Sequence, residues 1–407
     1  MDARGASSLE LVHRPDSARP TGSAAWARTV GCALLGWLVA WGGGVQTLAQ
    51  SPERLVTSGT EKAASSIPLG KPCLVMQAEA ARLPIASRRV ELSSTVAQVA
   101  PIGATVAVDP TGQRIAVGGD DHTIRIVDLK SGQETDCLQG HIDWVRTLEW
   151  DRSGKHLFSS GNDGRVLMWD MDAPQDPRVI AVLPTSIFKI TLHPGGELLA
   201  TIGFGAEVHL MDIVAGRVRD RWVTGDGDLR AAAFDQSGRW LAVGGRSGRI
   251  EIWDCQTGAR LAQQQVHERR IRAIRFSPQG RTLWSVGEDG RIGAWDWNSP
   301  HPPWRSDRVA AKLLCIEALG SNLIAVGGTD NAVHLFDLAN RHTIGRLQGH
   351  LGSVTGVRAI GDQLISSGFD ATLYVWDGVS NTPPLDRLWG RPVSSIETQD
   401  APDTTIR

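Results

Sequence analysis

Tyrosine is almost missing from this 407-residue chain, which has one, and cysteine is scarce, with five. The cysteines (Cys32, Cys73, Cys137, Cys255 and Cys315) include no Cys-x-x-Cys pair and no histidine at a zinc-binding spacing. That argues against a structural zinc site and against the dense disulfide framework of small secreted domains, so the thiols are expected to be unpaired. Charge of one sign is also missing: the formal net charge is −2. A whole-surface footprint for nucleic acid or an anionic membrane would need a strong basic excess, and no base-stacking array stands out, so no nucleic-acid partner is expected. What the chain does have is 41% hydrophobic and 21% charged residues, 45 glycines and 15 tryptophans. That composition supports a core rather than global disorder and suits a fold with many turns.

Residues 29–52 carry no charge and follow Arg4, Arg14, Arg19 and Arg28. A basic leader before an apolar core is the pattern of an export signal, with Thr47-Leu48-Ala49 as the small-residue cleavage site. The apolar core, 30–45, is shorter than the roughly 20 residues of a spanning helix, and Gly42–Gly44 weaken a helix there. Segment 1–49 therefore reads as a signal peptide or an uncleaved signal anchor. Either places the remainder across a membrane, in the periplasm or another extracytoplasmic space, with membrane contact only through this N-terminal segment. Residues 50–85 read as a flexible tether and 391–407 as a polar, disordered tail.

Between them one line recurs: 159-SSGNDGRVLMWD-170, 285-SVGEDGRIGAWD-296 and 366-SSGFDATLYVWD-377. Aligned on its last residue, the chain holds seven copies, closing at Asp128, Asp170, Asp212, Asp254, Asp296, Asp337 and Asp377, with gaps of 42, 42, 42, 42, 41 and 40. A fixed period of this length marks a repeat architecture. Each copy alternates apolar and polar residues in short runs (145-VRTLEW, then 157-LFSSG, then 165-RVLMWD) separated by turns such as 151-DRSG and 235-DQSG, which predicts four antiparallel strands per copy. One such sheet cannot bury both faces; stacking the copies radially can.

The copies resemble the WD-repeat (G-beta-like) β-propeller family, with Gly140-His141 and Gly349-His350 as Gly-His pairs and Trp169-Asp170, Trp253-Asp254, Trp295-Asp296 and Trp376-Asp377 as Trp-Asp pairs. The resemblance covers 86–390 and implies an all-β, seven-bladed propeller of four-stranded antiparallel blades, preceded by the N-terminal apolar signal or anchor helix. It also implies a hydrogen-bonded chain of His, Ser, Asp and Trp, complete in three copies: His141, Ser159, Asp163 and Trp169; His267, Ser285, Asp289 and Trp295; His350, Ser366, Asp370 and Trp376. Triads repeated at blade period are structural rather than catalytic. The first, third, fourth and sixth copies depart from the pattern at Val127, Gly205 and Met211, Ser247, and Phe336, and are expected to rely more on apolar packing. His122, His209 and His334 are expected to face solvent or fill gaps between blades. The family implies that an N-terminal segment closes the ring; 88-RRVELSST fits, with 385-PLDRLWGR as the rival.

The resemblance further implies a non-enzymatic platform that docks a protein or peptide on its top face, with no cofactor or metal. Projected onto that face are the aromatics Trp144, Phe188 and Phe204 and the arginines Arg146, Arg230, Arg246, Arg270 and Arg272. Arginine and aromatics are the usual anchors of protein interfaces, so an acidic peptide or loop is the expected partner. Solvated arginines and blade-packing aromatics are the competing account of the same residues. The alternative function is a hydrolase-like propeller working in the central channel.

Overall fold

A computed structural model describes residues 85–92 and 103–379. The expected leader, nearly all of the tether, and the tail lie outside these residues, as does the apolar segment expected to form the signal or anchor helix. Among the described residues no helix is long and apolar enough to cross a membrane. They form 28 strands in seven four-stranded antiparallel sheets.

The first strand of each sheet is inner. Gly103–Val108, Val145–Trp150, Ile187–Leu192, Ala231–Phe234, Ile271–Phe276, Leu313–Ala318 and Val354–Ile360 each touch the next, and the last touches the first, so the ring is closed around a central channel. The second strands, such as Leu323–Gly328, are buried along nearly their whole length, because neighbouring blades cover both of their faces. There is accordingly no single core. Seven apolar clusters each join two adjacent blades. In one of them Ile126 and Leu138 of blade one pack on Leu148, Leu157 and Trp169 of blade two.

Between the first and second strands the chain turns tightly. The amides of Gly112, Gly154 and Gly238 donate back to the carbonyls of Asp109, Asp151 and Asp235, and these glycines take φ near +70°, a region closed to most side chains. The same aspartates also accept through their carboxylates from the amide four or five residues on, which braces the turn.

The ring closes with the N-terminal segment. Ser87–Glu91 adds antiparallel to Thr372–Trp376 as the outer strand of blade seven, pairing Arg89 with Tyr374. It buries Val90 and Leu92 in the cluster between blades seven and one, and Arg88 donates to the carbonyls of Leu129 and Lys130 in blade one. One short strand therefore ties the last blade to the first.

Candidate functional site

The repeated polar residues meet between blades. His141 Nδ1 lies 2.8 Å from the Asp163 carboxylate and Nε2 lies 2.8 Å from Ser159 Oγ, which also accepts from the Trp169 indole at 2.8 Å. Blade seven repeats this with His350, Asp370, Ser366 and Trp376 at 3.1, 2.8 and 2.9 Å. In blade five His267 bridges Asp289 and Ser285, but the Trp295 indole makes no bond to Ser285. The outer strand there is only Trp304–Arg305, preceded by Pro300, Pro302 and Pro303, which cannot donate to a ladder. Burial pushes the carboxyls of Asp163, Asp289 and Asp370 up, yet bonds from the facing histidines and from backbone amides outweigh it and hold each below the usual carboxylate range. Burial draws the His350 imidazole down despite Asp370. Ser159, Ser285 and Ser366 are 0% exposed, so no substrate can reach their hydroxyls.

Three of the divergent blades add polar contacts of their own to apolar packing, while Met211 of blade three is buried in an apolar cluster. In blade one, Asp121 takes the buried guanidinium of Arg125 at 2.6 Å, four residues along the same blade. In blade six, Asp330 pairs with buried His334 at 3.0 Å and with Arg346. A basic side chain on the third strand, Arg125 or His334, thus stands in for the missing interblade histidine. In blade four the roles are exchanged: Ser247 at the turn donates through its amide and hydroxyl to Asp226 of the interblade loop. Trp253 faces no serine acceptor and instead stacks on Trp222 at 5.6 Å. Of the other two leftover histidines, His209 sits 3.4 Å from Glu207 and His122 occupies a turn at positive φ.

The top face is set by a recurring irregularity. In six blades the register slips at the second residue of the inner strand. A bulge leaves that residue unpaired and re-aims its side chain, here into the channel mouth. The positions are Ala104, Arg146, Phe188, Arg272, Leu314 and Thr355, and Arg230 holds the equivalent place just before the strand of blade four. The structure brings most of the projected residues together as one row. The Arg146 guanidinium lies 4.5 Å from the Trp144 ring and 5.9 Å from Phe188; Arg230 lies 3.3 Å from Phe188 and 5.2 Å from Phe204; Phe188 and Phe204 meet edge to face at 4.5 Å. Phe204 remains 56% exposed.

Arg270 is placed differently. Its guanidinium is held by Asp228 at 2.6 Å and Glu288 at 3.0 Å, so its charge is largely engaged within the molecule. Glu288 also lies 3.6 Å from Arg272 and 3.7 Å from Lys312, while Asp228 holds Arg230. Arg246 stands on the exposed rim and its guanidinium meets none of these carboxylates. Two apolar residues that sequence reasoning did not single out also face outward on this side: Ile142, 66% exposed, and Leu351, 80% exposed. Each follows an interblade histidine, which was the available signal.

Below the mouth the channel encloses a cavity of about 170 Å³. Lys189 reaches Glu149 of the neighbouring blade at 3.0 Å, and Arg275 and Arg358 converge on Glu317 at 2.8 and 3.8 Å. This inner rank was missed, although Glu149, Arg275 and Glu317 each lie three residues beyond a mouth position. Burial lowers the Lys189 ammonium, with Arg358 and Arg275 adding to it, and lowers Arg146, with Arg230 and Arg272 adding. Among the described residues Cys137, Cys255 and Cys315 are unpaired. Burial pushes the thiols of Cys255 and Cys315 up to about 12, which keeps them unreactive. No group of three or more His, Cys, Asp or Glu among the described residues could hold a metal ion.

A family model described as WD domain, G-beta repeat matches residues 100–128, 132–170, 221–254 and 341–377. Blade five and the first three strands of blades three and six, which lie outside those matches, follow the same strand order. The chain is similar to the Retinoblastoma-binding protein 5 homolog of Drosophila melanogaster, 27% identical over 160 residues, 38% of this chain and 32% of that protein. It is similar to the nuclear distribution protein nudF of Aspergillus niger, 26% identical over 285 residues, 67% of this chain and 58% of that one. It also resembles pre-mRNA-processing factor 19 of Bos taurus, 25% identical over 156 residues, 38% and 31% of the two chains. It spans less than two thirds of each of these relatives. With repeat matches on a closed ring of seven four-stranded blades, the chain is a WD-repeat β-propeller protein.

Proposed function

We propose that this protein is a non-enzymatic scaffold that docks another protein on its top face, at the channel mouth between blades two and five. The carrying observation is the stacked row of Trp144, Arg146, Phe188, Arg230 and half-exposed Phe204. Rigid aromatics and arginines around a depression are the residue types that anchor interfaces. The name of one relative records binding to another protein, which supports the same reading. The partner's contacting segment is acidic, because Arg146 at the channel mouth and Arg246 on the rim have no ion-paired carboxylate of their own. Phe369, 46% exposed, and Leu351 extend the face with apolar surface. The burial of all three repeated serines disfavours a catalytic role for the repeated triads.

The uncharged run 29–52 behind four arginines supports export, or anchoring by that segment, so that the propeller works in an extracytoplasmic space. The test is affinity capture of the intact tagged protein from membrane and soluble fractions, with N-terminal sequencing of the bait. The expected outcome is a partner lost from a Phe204→Ala, Arg230→Glu variant and retained by Arg152→Glu, which alters the turn at the opposite end of blade two. A bait start near Gln50 identifies a cleaved signal, and an intact start in the membrane fraction identifies an anchor. Equal capture by all three proteins would reject the docking face, and an intact bait in the soluble fraction would reject export.

A further inference from the structure

We propose that the central channel is a binding site for a phosphoryl-class oxyanion, held by the arginines of its mouth. Six cationic side chains converge on this one cavity: Arg146, Arg230 and Arg272 at the mouth, and Lys189, Arg275 and Arg358 below. Within the channel only Glu149 and Glu317 oppose the inner three; at the mouth Asp228 and Glu288 serve Arg230 and Arg272 but are shared with Arg270 and Lys312. The cavity walls therefore carry an uncompensated positive charge. The cations feel it: like-charged neighbours are among the causes that lower Arg146, Arg272 and Lys189.

Two mouth arginines have donors to spare. Arg146 spends its Nε on Asn162 at 2.8 Å, which leaves both terminal nitrogens. Arg272 makes no hydrogen bond, and its ion pair with Glu288 is long, at 3.6 Å.

Size and charge choose the ligand class. A cavity of about 170 Å³ is well above the roughly 10–15 Å³ that a single water needs on the same measure, enough for a tetrahedral phosphoryl group with its waters. A bulkier body attached to the group has to stay outside the mouth. Arginines arranged around one axis suit the several oxygens and the near-dianionic charge of a phosphate better than a single carboxylate. This inference does not require the docking reading, since anion titration and partner capture are separate readouts.

The test is titration calorimetry of the full chain with inorganic phosphate and with pyrophosphate, at constant ionic strength set with chloride. The expected result is saturable one-to-one binding, weakened about tenfold by Arg272→Gln, the equivalent of one charge-assisted hydrogen bond, and unchanged in Arg152→Gln. Arg146→Gln removes the other guanidinium with free terminal nitrogens and is expected to weaken binding several-fold, so the proposal stays testable should the Arg272 variant fold poorly. A Gly-phosphoserine-Gly peptide then separates the sources. Tighter binding of the peptide with the same arginine dependence identifies a phosphorylated side chain of a partner, and binding of the inorganic anions alone identifies a free oxyanion. Heats that do not saturate, or that are equal in wild type, Arg272→Gln and Arg146→Gln, would overturn the proposal.

Discussion

Ser159 shows how much of this molecule rests on single polar atoms. Its hydroxyl joins the imidazole of one interblade segment to the indole of the third strand. Ser159→Ala leaves the Trp169 indole N–H and one imidazole nitrogen buried and unpaired, a loss of about 1–3 kcal/mol for each orphaned group. Denaturant melts should show it; an unchanged midpoint would mean that the network contributes nothing to stability. Acid acts on the same groups. The folded carboxyls of Asp163, Asp289 and Asp370 lie below their ordinary values, so their contribution is fully present above about pH 4 and is lost as pH falls through the folded values. His350 is lowered instead, so below about pH 6.5 the unfolded chain takes up a proton that the folded one resists, and stability falls there too. Chemical denaturation from pH 7 down to pH 3 should therefore give a monotonic decline, and the Asp163→Asn, Asp289→Asn, Asp370→Asn variant should show a shallower slope below pH 4. The two closed quartets and the blade-five trio were legible because residue type and spacing repeat together. The replacements were not: Arg125 and His334 sit four residues after their aspartates within one blade, a local solution that alignment to the interblade pattern hides.

At the scale of the strand, the period was readable and the bulge was not. A repeat of 42 residues predicts where each inner strand falls, and alternation predicts which side chains point between blades. The extra residue at the start of six of those strands is a backbone event that residue types do not announce. It nevertheless decides the mouth, because it turns Arg146, Phe188 and Arg272 inward. Blade closure was legible in part: 88-RRVELSST carries the alternation of a strand, but a choice between the two ends of the chain depends on pairing. The paired strand makes a firm expectation possible. Val90 is buried between blades seven and one, and Val90→Asp places there a carboxylate with no apparent partner, at a cost of at least about 2 kcal/mol. Thermal melting should show a lower midpoint, and protease should cut blade seven first. A wild-type melting curve would mean that the closing strand is not needed for the ring.

Taken together, the described residues form a ring whose stability lies in seven interfaces between blades and whose chemistry faces an axis. Stability and recognition are therefore carried by different residues: the buried quartets and apolar clusters hold the blades, while the mouth carries the aromatic and arginine row. Composition and repeats showed the ring. They did not show that Arg270 is locked between Asp228 and Glu288, because ion pairing across neighbouring blades depends on side-chain reach rather than on period. Charge reversal there would disturb the blade four–five contact and report poorly on docking; Phe204 and Arg230 are the cleaner probes. The central claim is that a partner sits on this mouth, and the most direct measurement is site-specific photocrosslinking in the native cell. A photoreactive residue at position 204 should give a discrete adduct with a second protein, while the same residue at position 152, at the opposite end of blade two, should give none. Adducts at 152 alone, or at neither position, would contradict the account.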